Sequence, residues 1–439
     1  MGGKRRLFRM VLPALAALAA VGCSPVMGGS TPPKMGDDIV IGAPLALSGD
    51  LVHEAAAARR GYDLWVDWAN RDGGIVVKNV RHRIRLLYED DGSDPKRSAQ
   101  LAEKMITQEK VTFLLGPYGT TNTATVAAVA DQHHVPMIAA NGAARQIFMQ
   151  GYHYVFGILA SADQYPAAVL DMGLGLSPKP QTMAVLSADD VVSLAIAKGA
   201  SDYAASRGIQ TVLFQPYPAG TTNLYPLVQQ ARSRNPDIFV NSGHLLEAIA
   251  AHKAAKDLRL DAKMFAYAVG PDQPEFVQTL GNSADYVVTA SPWTPEARYK
   301  ADYYLTSAQY VAAYEKKYKT TLAPPFPVAD SSVAGVALQV AIERSQSLDP
   351  EQVRDALASL DVSTFFGRIK FDGQGQNTFK NILVTQIQNG QLTTVWPPEI
   401  AATTPTYPAP TWEARFGTPT EPPKAKLPGT GTLSRPRSR

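Results

Sequence analysis

Residues 111–123 read Val111-Thr112-Phe113-Leu114-Leu115-Gly116-Pro117-Tyr118-Gly119-Thr120-Thr121-Asn122-Thr123. A short, continuous apolar run stops at a Gly/Pro-rich turn, and two threonines then open an amphipathic stretch, Thr121–Gln132. A run of that length without alternation fits a strand buried on both faces, followed by a helix. The same unit recurs along the chain. β-rich runs fall at Ile39–Leu45, Ile84–Tyr88, Val111–Leu115, Val135–Ala140, Thr182–Leu186, Thr211–Gln215, Asp237–Asn241, Met264–Val269 and Tyr286–Ala290. Helical stretches lie between most of them, among them Glu54–Asn70, where Tyr62, Trp65 and Ala69 share a face. This alternation predicts the α/β class with doubly wound parallel sheets. Nine strands before residue 291 are many for one sheet, so two lobes are expected.

After Pro292 the pattern changes. Helices are expected at Ser307–Tyr318 and Asp330–Ser345, and a third opens at Asp349-Pro350, with Asp349 as cap and Pro350 in the first turn. A strand at Gly367–Phe371 follows, then a hairpin, Asn381–Gln388 and Gln391–Trp396, turned at Asn389-Gly390.

The ends of the chain read differently from the body. Lys4, Arg5, Arg6 and Arg9 precede an apolar run of twelve, MVLPALAALAAV, at residues 10–21. That run is too short to span a bilayer and suits a secretory signal. Ala20-Val21-Gly22-Cys23 then resembles a bacterial lipobox. The expectation is a signal peptide over 1–22, acylation (palmitate among the chains) on Cys23, and a Gly/Pro/Ser-rich tether over 23–37. Residues 398–439 read as a Pro-rich tail, partly ordered to about Phe416 and disordered after about 417. The formal charge of +3 comes from these ends, since residues 23–420 hold 33 basic and 38 acidic residues. An acidic body argues against nucleic acid as a partner. The single cysteine in 439 residues excludes a disulfide framework and a Cys-based metal site. His133-His134 has no third ligand at metal spacing, and the acids Glu89, Asp90, Asp91 and Asp94 lack calcium-loop spacing, so Asp94 before Pro95 is read as a helix cap. No metal or cofactor is expected.

In open α/β sheets, ligands sit beyond the carboxyl ends of strands, at helix N-termini. Three small-residue loops occupy such places: Ala46-Leu47-Ser48-Gly49, Gly116–Thr121 and Asn141-Gly142-Ala143-Ala144. Thr120 and Thr121 either cap their helix only or also present hydroxyls and N–H groups to a ligand. Tyr118 and Trp293 follow strand ends and are candidates to line a cleft by stacking or apolar contact, with hinge packing the alternative for Trp293.

Several short motifs now fall in order: Ile41-Gly42 with Leu47-Ser48-Gly49, Asn70-Arg71-Asp72-Gly73-Gly74-Ile75, Asp90-Asp91-Gly92-Ser93-Asp94-Pro95, Gly116 to Thr120-Thr121, Val135-Pro136-Met137-Ile138, and Phe366-Gly367-Arg368-Ile369-Lys370-Phe371-Asp372-Gly373. Together they are similar to the type I periplasmic solute-binding proteins of ABC importers, in the branched-chain amino-acid and amide-binding (leucine-binding-protein-like) branch. The resemblance covers roughly residues 38–397. It implies two lobes joined by three crossings: 38–159 with 292–362, and 160–291 with 363–397. A ligand would lie in the cleft, which closes on binding.

The resemblance also implies site residues. The hydroxyl that grips a ligand carboxylate falls on Thr120, and a contacting loop on Asn141-Gly142-Ala143, where Ala143 lacks the family's frequent hydroxyl. The acid that pairs with a ligand ammonium falls on Val269, with Asp272, Glu54 or Asp330 as substitutes. Otherwise the ligand has no α-ammonium and is an amide or a small acid. Ser48 and Tyr267 complete the candidate lining. The function implied is an extracytoplasmic, lipid-anchored, monomeric substrate-binding subunit that partners a membrane permease. A sensor on the same fold is the alternative. An α/β enzyme is disfavoured, because no G-x-S-x-G, H-E-x-x-H, P-loop or G-x-G-x-x-G occurs.

Overall fold

The computed structural model describes residues 33–378 and 382–417. Cys23, the signal segment and the tail beyond 417 lie outside them, as does Asn381 of the expected hairpin. The alternation of runs and helices resolves into two separate sheets, as the strand count demands. The first has five parallel strands in the order Ile84–Asp90, Ile39–Leu45, Phe113–Leu115, Met137–Ala139, Val155–Gly157. The second has Gln210–Tyr217, Thr182–Ala188, Ile238–Ser242, Met264–Tyr267 and Val287–Ser291 in parallel, then Leu383–Gln388 and Gln391–Trp396 antiparallel at one edge. All nine expected strands are present. Val155–Gly157 was missed because three residues carry no period, and so were three short strands near the N-terminus, Lys34–Met35, Ile75–Val77 and Val80–His82. The hairpin turn takes positive φ at both Asn389 (52°) and Gly390 (71°), the backbone that Asn-Gly tolerates best.

In the first sheet, Ile39–Leu45 lies between Ile84–Asp90 and Phe113–Leu115. The order of strand addition therefore reverses here, the chain passing first to one side of Ile39–Leu45 and then to the other, and the loops after Leu45 and Leu115 splay apart to leave a crevice. The helix Val52–Ala69 buries Ala55, Ala58, Tyr62, Trp65 and Ala69 at helical spacing. It meets the helix Phe326–Ser345, whose residues 327–342 are all buried. A helix buried all round carries no polar face to mark its start, which is why it begins four residues before the expected Asp330. Asp94 does cap Pro95–Thr107, accepting from the Lys96 and Arg97 N–H groups, while the neighbouring Asp91 takes the Ser98 hydroxyl at 2.7 Å.

One boundary differs from expectation. Residues from about 363 were assigned to the second lobe, yet Phe365, Phe366, Ile369 and Phe371 sit in the core that holds Trp65, Tyr310 and Val333. Asn377 N–H donates to Gly157 O at 3.0 Å, at the edge of the first sheet. The chain joins the second sheet only at Leu383. A short apolar hairpin bears no mark of which lobe will cover it, so only packing could decide. The Pro-rich stretch after Trp396 returns along the second lobe and ends in the helix Trp412–Phe416, with Trp412 1% exposed in that lobe's core.

Candidate functional site

Between the two sheets lies a cleft in two connected compartments. The outer one, about 440 Å³, is lined from the first lobe by Asp50, Glu54, Thr120 and Thr121, and from the second by Asp190, His244 and Glu247. The inner one, about 50 Å³, is walled by Tyr118, Asn141, Ala143, Tyr165, Val269 and Phe326. Thr120, Gly119, Val192 and His244 border both. Each polar group comes from a strand-to-helix turn. Gly119 has φ 90°, a conformation that costs glycine least, and it turns the chain so that Thr120 begins the helix Thr120–Gln132. Thr120 is 4% exposed, and its Oγ1 accepts from the Ala143 N–H at 3.3 Å, tying two of the expected loops together.

The inner compartment holds polar atoms without partners. Ser331 Oγ donates to Pro327 O at 2.7 Å, so it must accept from Asn141 Nδ2 at 2.8 Å. That fixes the amide and leaves Asn141 Oδ1 buried with no partner. Tyr165 OH and His244 Nδ1 are likewise buried and unsatisfied. A buried polar atom left unpaired costs about 1–3 kcal/mol. Three around one cavity make a surface ready for a polar guest.

His244 Nε2 stands 3.5 Å from Asp190 Oδ2, with the two side chains 18% and 19% exposed. Burial works against the imidazolium, but the hydrogen bond and charge of Asp190, with Glu54 and Glu247 behind it, prevail and hold the His244 pKa up at about 9. Asp190 is also the N-cap of Val191–Ser206 and accepts from Ser193 Oγ at 2.7 Å, and its carboxyl is held below the usual range despite burial. The two therefore form an ion pair near neutral pH.

The expected site residues divide. Glu54, Tyr118, Thr120, Thr121, Asn141, Ala143 and Val269 line the cleft. Ser48 does not: its hydroxyl donates to Asp90 Oδ2 at 2.7 Å, because the register of Leu45 opposite Asp90 puts that carboxylate beside the loop. Tyr267 borders a third, apolar cavity of about 30 Å³ in the second lobe, which shares Tyr165, Ile196 and Ala268 with the inner compartment. Its OH reaches His252 Nδ1 at 2.9 Å, and His252, kept neutral by burial with a pKa of about 4, gives its other nitrogen to Ser283 O. Trp293 is 1% exposed and donates to Phe365 O at 3.1 Å, so it packs between elements rather than lining the cleft. Asp330 is fully buried in its helix, and Asp272 borders neither compartment, its carboxyl raised to about 7 by burial and then by the charge of Glu54. Asp190, His244, Glu247 and Tyr165 were missed. The same strand-end rule would have found the first two, after Thr182–Ala188 and Ile238–Ser242, had it been applied to the second lobe.

A family model described as periplasmic binding protein matches residues 38–391. The chain belongs to that family. Within the family its likeness is to the leucine-binding-protein-like, type I members. "Leu/Ile/Val-binding protein homolog 7" of Brucella abortus (strain 2308) is 24% identical over 407 residues, covering 87% of this chain and 96% of the relative. Among solved structures, the leucine-binding protein LivK of Thermotoga maritima superposes with TM-score 0.72 at 19% identity, over 81% of this chain and 97% of that one. LivJ of Streptococcus pneumoniae in complex with isoleucine gives 0.70 at 20% identity, over 82% and 100%. A solute-binding protein of R. palustris in complex with benzoate gives 0.69 at 17% identity, over 81% and 95%. This periplasmic binding protein therefore has neighbours of one fold that hold chemically different guests. Among its described residues no helix is long and apolar enough to cross a membrane.

Proposed function

We propose that this periplasmic binding protein is the extracytoplasmic, lipid-anchored solute-binding subunit of an ABC importer. It acts as a monomer and without a cofactor. It captures one small polar solute, an amino acid, an amide or a related small acid, between its lobes and presents the closed form to a membrane permease. The observation that carries this reading is the two-compartment cleft with Asn141 Oδ1, Tyr165 OH and His244 Nδ1 buried and unpartnered around it. No bond need be made or broken; what is required is a solute with greater affinity for the closed arrangement than for the open one.

A thermal-shift screen of amino acids, amides, ureas, amines and small acids tests it. A true solute at 100 times its Kd is expected to stabilise by about 2.7 kcal/mol. Thr120→Ala should then weaken that solute by about 1–3 kcal/mol, and it should also lower the melting temperature of the free protein, because it leaves the buried Ala143 N–H without its acceptor. Unchanged affinity would remove Thr120 from the site.

The anchor is tested separately. Several acyl chains on Cys23 would hold the protein firmly, since each buried CH₂ contributes about 0.8 kcal/mol. Cys23→Ser is expected to move the protein from the membrane fraction to the soluble one, and retention would contradict acylation at Cys23.

A further inference from the structure

The charges around the cleft do not balance. Glu54 is 2% exposed and Glu247 is 4% exposed, and both line the outer compartment. Asp190 lines it too, and so does the exposed Asp50. Among the described residues the only base on either compartment is His244, and it is engaged with Asp190. Glu247 takes one N–H, from Gly220 at 2.9 Å. Among the described residues the Glu54 carboxylate has neither a hydrogen bond nor an ion pair, although the residue is almost wholly enclosed. No Lys or Arg lines either compartment among the described residues.

A rival account is local. Glu54 and Glu247 each lie in the first turn of a helix, Val52–Ala69 and Leu245–Asp257, where the backbone favours an acid. That effect is modest and fades within the first turn. His244 is the one cation among the described residues of the cleft that acts on both glutamates, and it faces Asp190 as well, so a single positive charge stands against three carboxylates and leaves an excess of negative charge that is unfavourable to enclose. The helix ends offset only part of it.

We propose that the outer compartment is a cation subsite, and that the solute carries a protonated amine or amidine in excess of any carboxylate, held between Glu54 of the first lobe and Glu247 of the second. The inner compartment then receives the rest of the molecule, with Asn141 Oδ1 accepting from one of its donors. Because the two carboxylates belong to different lobes, the cation would draw the lobes together as it neutralises them. Val269 stands where the resemblance places an acid, and the acidic charge of this cleft lies instead on Glu54 and Glu247. This inference rests on the solute-binding reading and narrows its solute class away from neutral amino acids and simple acids.

Calorimetry on the purified full chain, with solutes of one carbon skeleton, tests it: 1,6-diaminohexane, 6-aminohexanamide, 6-aminohexanoate and hexanoate, with arginine, leucine and benzoate beside them. The net-cationic members are expected to bind at least tenfold more tightly than the zwitterions, and the anions not measurably. Glu54→Gln and, independently, Glu247→Gln should each reduce that preference tenfold or more. Tightest binding by leucine, benzoate or hexanoate would overturn the cation subsite and leave solute binding standing. So would variants that melt lower but keep the ranking, the result of helix capping alone. Absence of binding by every member of the set, and by every compound of the wider screen, would instead overturn the solute-binding reading together with this one.

Discussion

Gly61→Val is expected to destabilise the first lobe by about 3 kcal/mol or more, a fall in its melting temperature of roughly 6–12 °C. Gly61 is where the helices Val52–Ala69 and Phe326–Ser345 touch. A Cβ there would lie 2.1 Å from Val328 O and 2.8 Å from Ser331 Cβ. The first of these is backbone and cannot rotate away. One helix must shift, and Trp65 with it, whose Nε1 donates to Gln339 Oε1 at 3.0 Å across the same interface. Ser332 Oγ also donates to Gly61 O at 2.6 Å, so any separation of the helices leaves buried polar groups unpaired. Calorimetry checks it. A melting temperature within a degree or two of the parent would mean that the helices are not packed at that distance.

The second large effect lies in the Pro-rich C-terminal stretch. Trp412→Ala should cost about 3–5 kcal/mol, the usual loss for a fully buried aromatic. Trp412 packs edge-on to His252 at 5.4 Å and tilted against Phe265 at 5.7 Å, and its Nε1 donates to Leu260 O at 2.8 Å. Its removal opens a cavity against the second sheet and orphans that carbonyl. Amide hydrogen exchange along Met264–Tyr267 should accelerate, while the first sheet is unaffected. Unchanged protection there would show that residues 398–417 lie on the lobe without supporting it.

Much of this architecture could be read before any coordinates. Runs such as Ile39–Leu45 and Thr182–Leu186 are apolar throughout because both their faces are covered, and that pattern survives in one dimension. So did the Gly116–Thr121 turn, where Gly119 takes a positive φ, although the threonines after it make no capping bond, the N-cap being Gly119 itself. The failures share a cause. Ser48 sits in a loop of the right kind, but parallel register sets Asp90 beside it, and that pairing joins residues 42 positions apart. Trp293 and Phe365 meet over 72 positions and together close a core that neither segment announces. Asp190 and Glu247 look in sequence like ordinary acids at helix starts, and only the approach of a second lobe makes them walls of a shared cavity. Local chemistry was legible; which lobe each group would face was not.

The central claim is that the two lobes grip one solute beside Thr120. A crystal structure of the protein with whichever compound stabilises it most tests this directly. The expected result is a single molecule spanning both compartments, within hydrogen-bond distance of Thr120 or Asn141 on one side and of a second-lobe group, His244 or Glu247, on the other. A solute bound elsewhere, or touching one lobe alone, would contradict it.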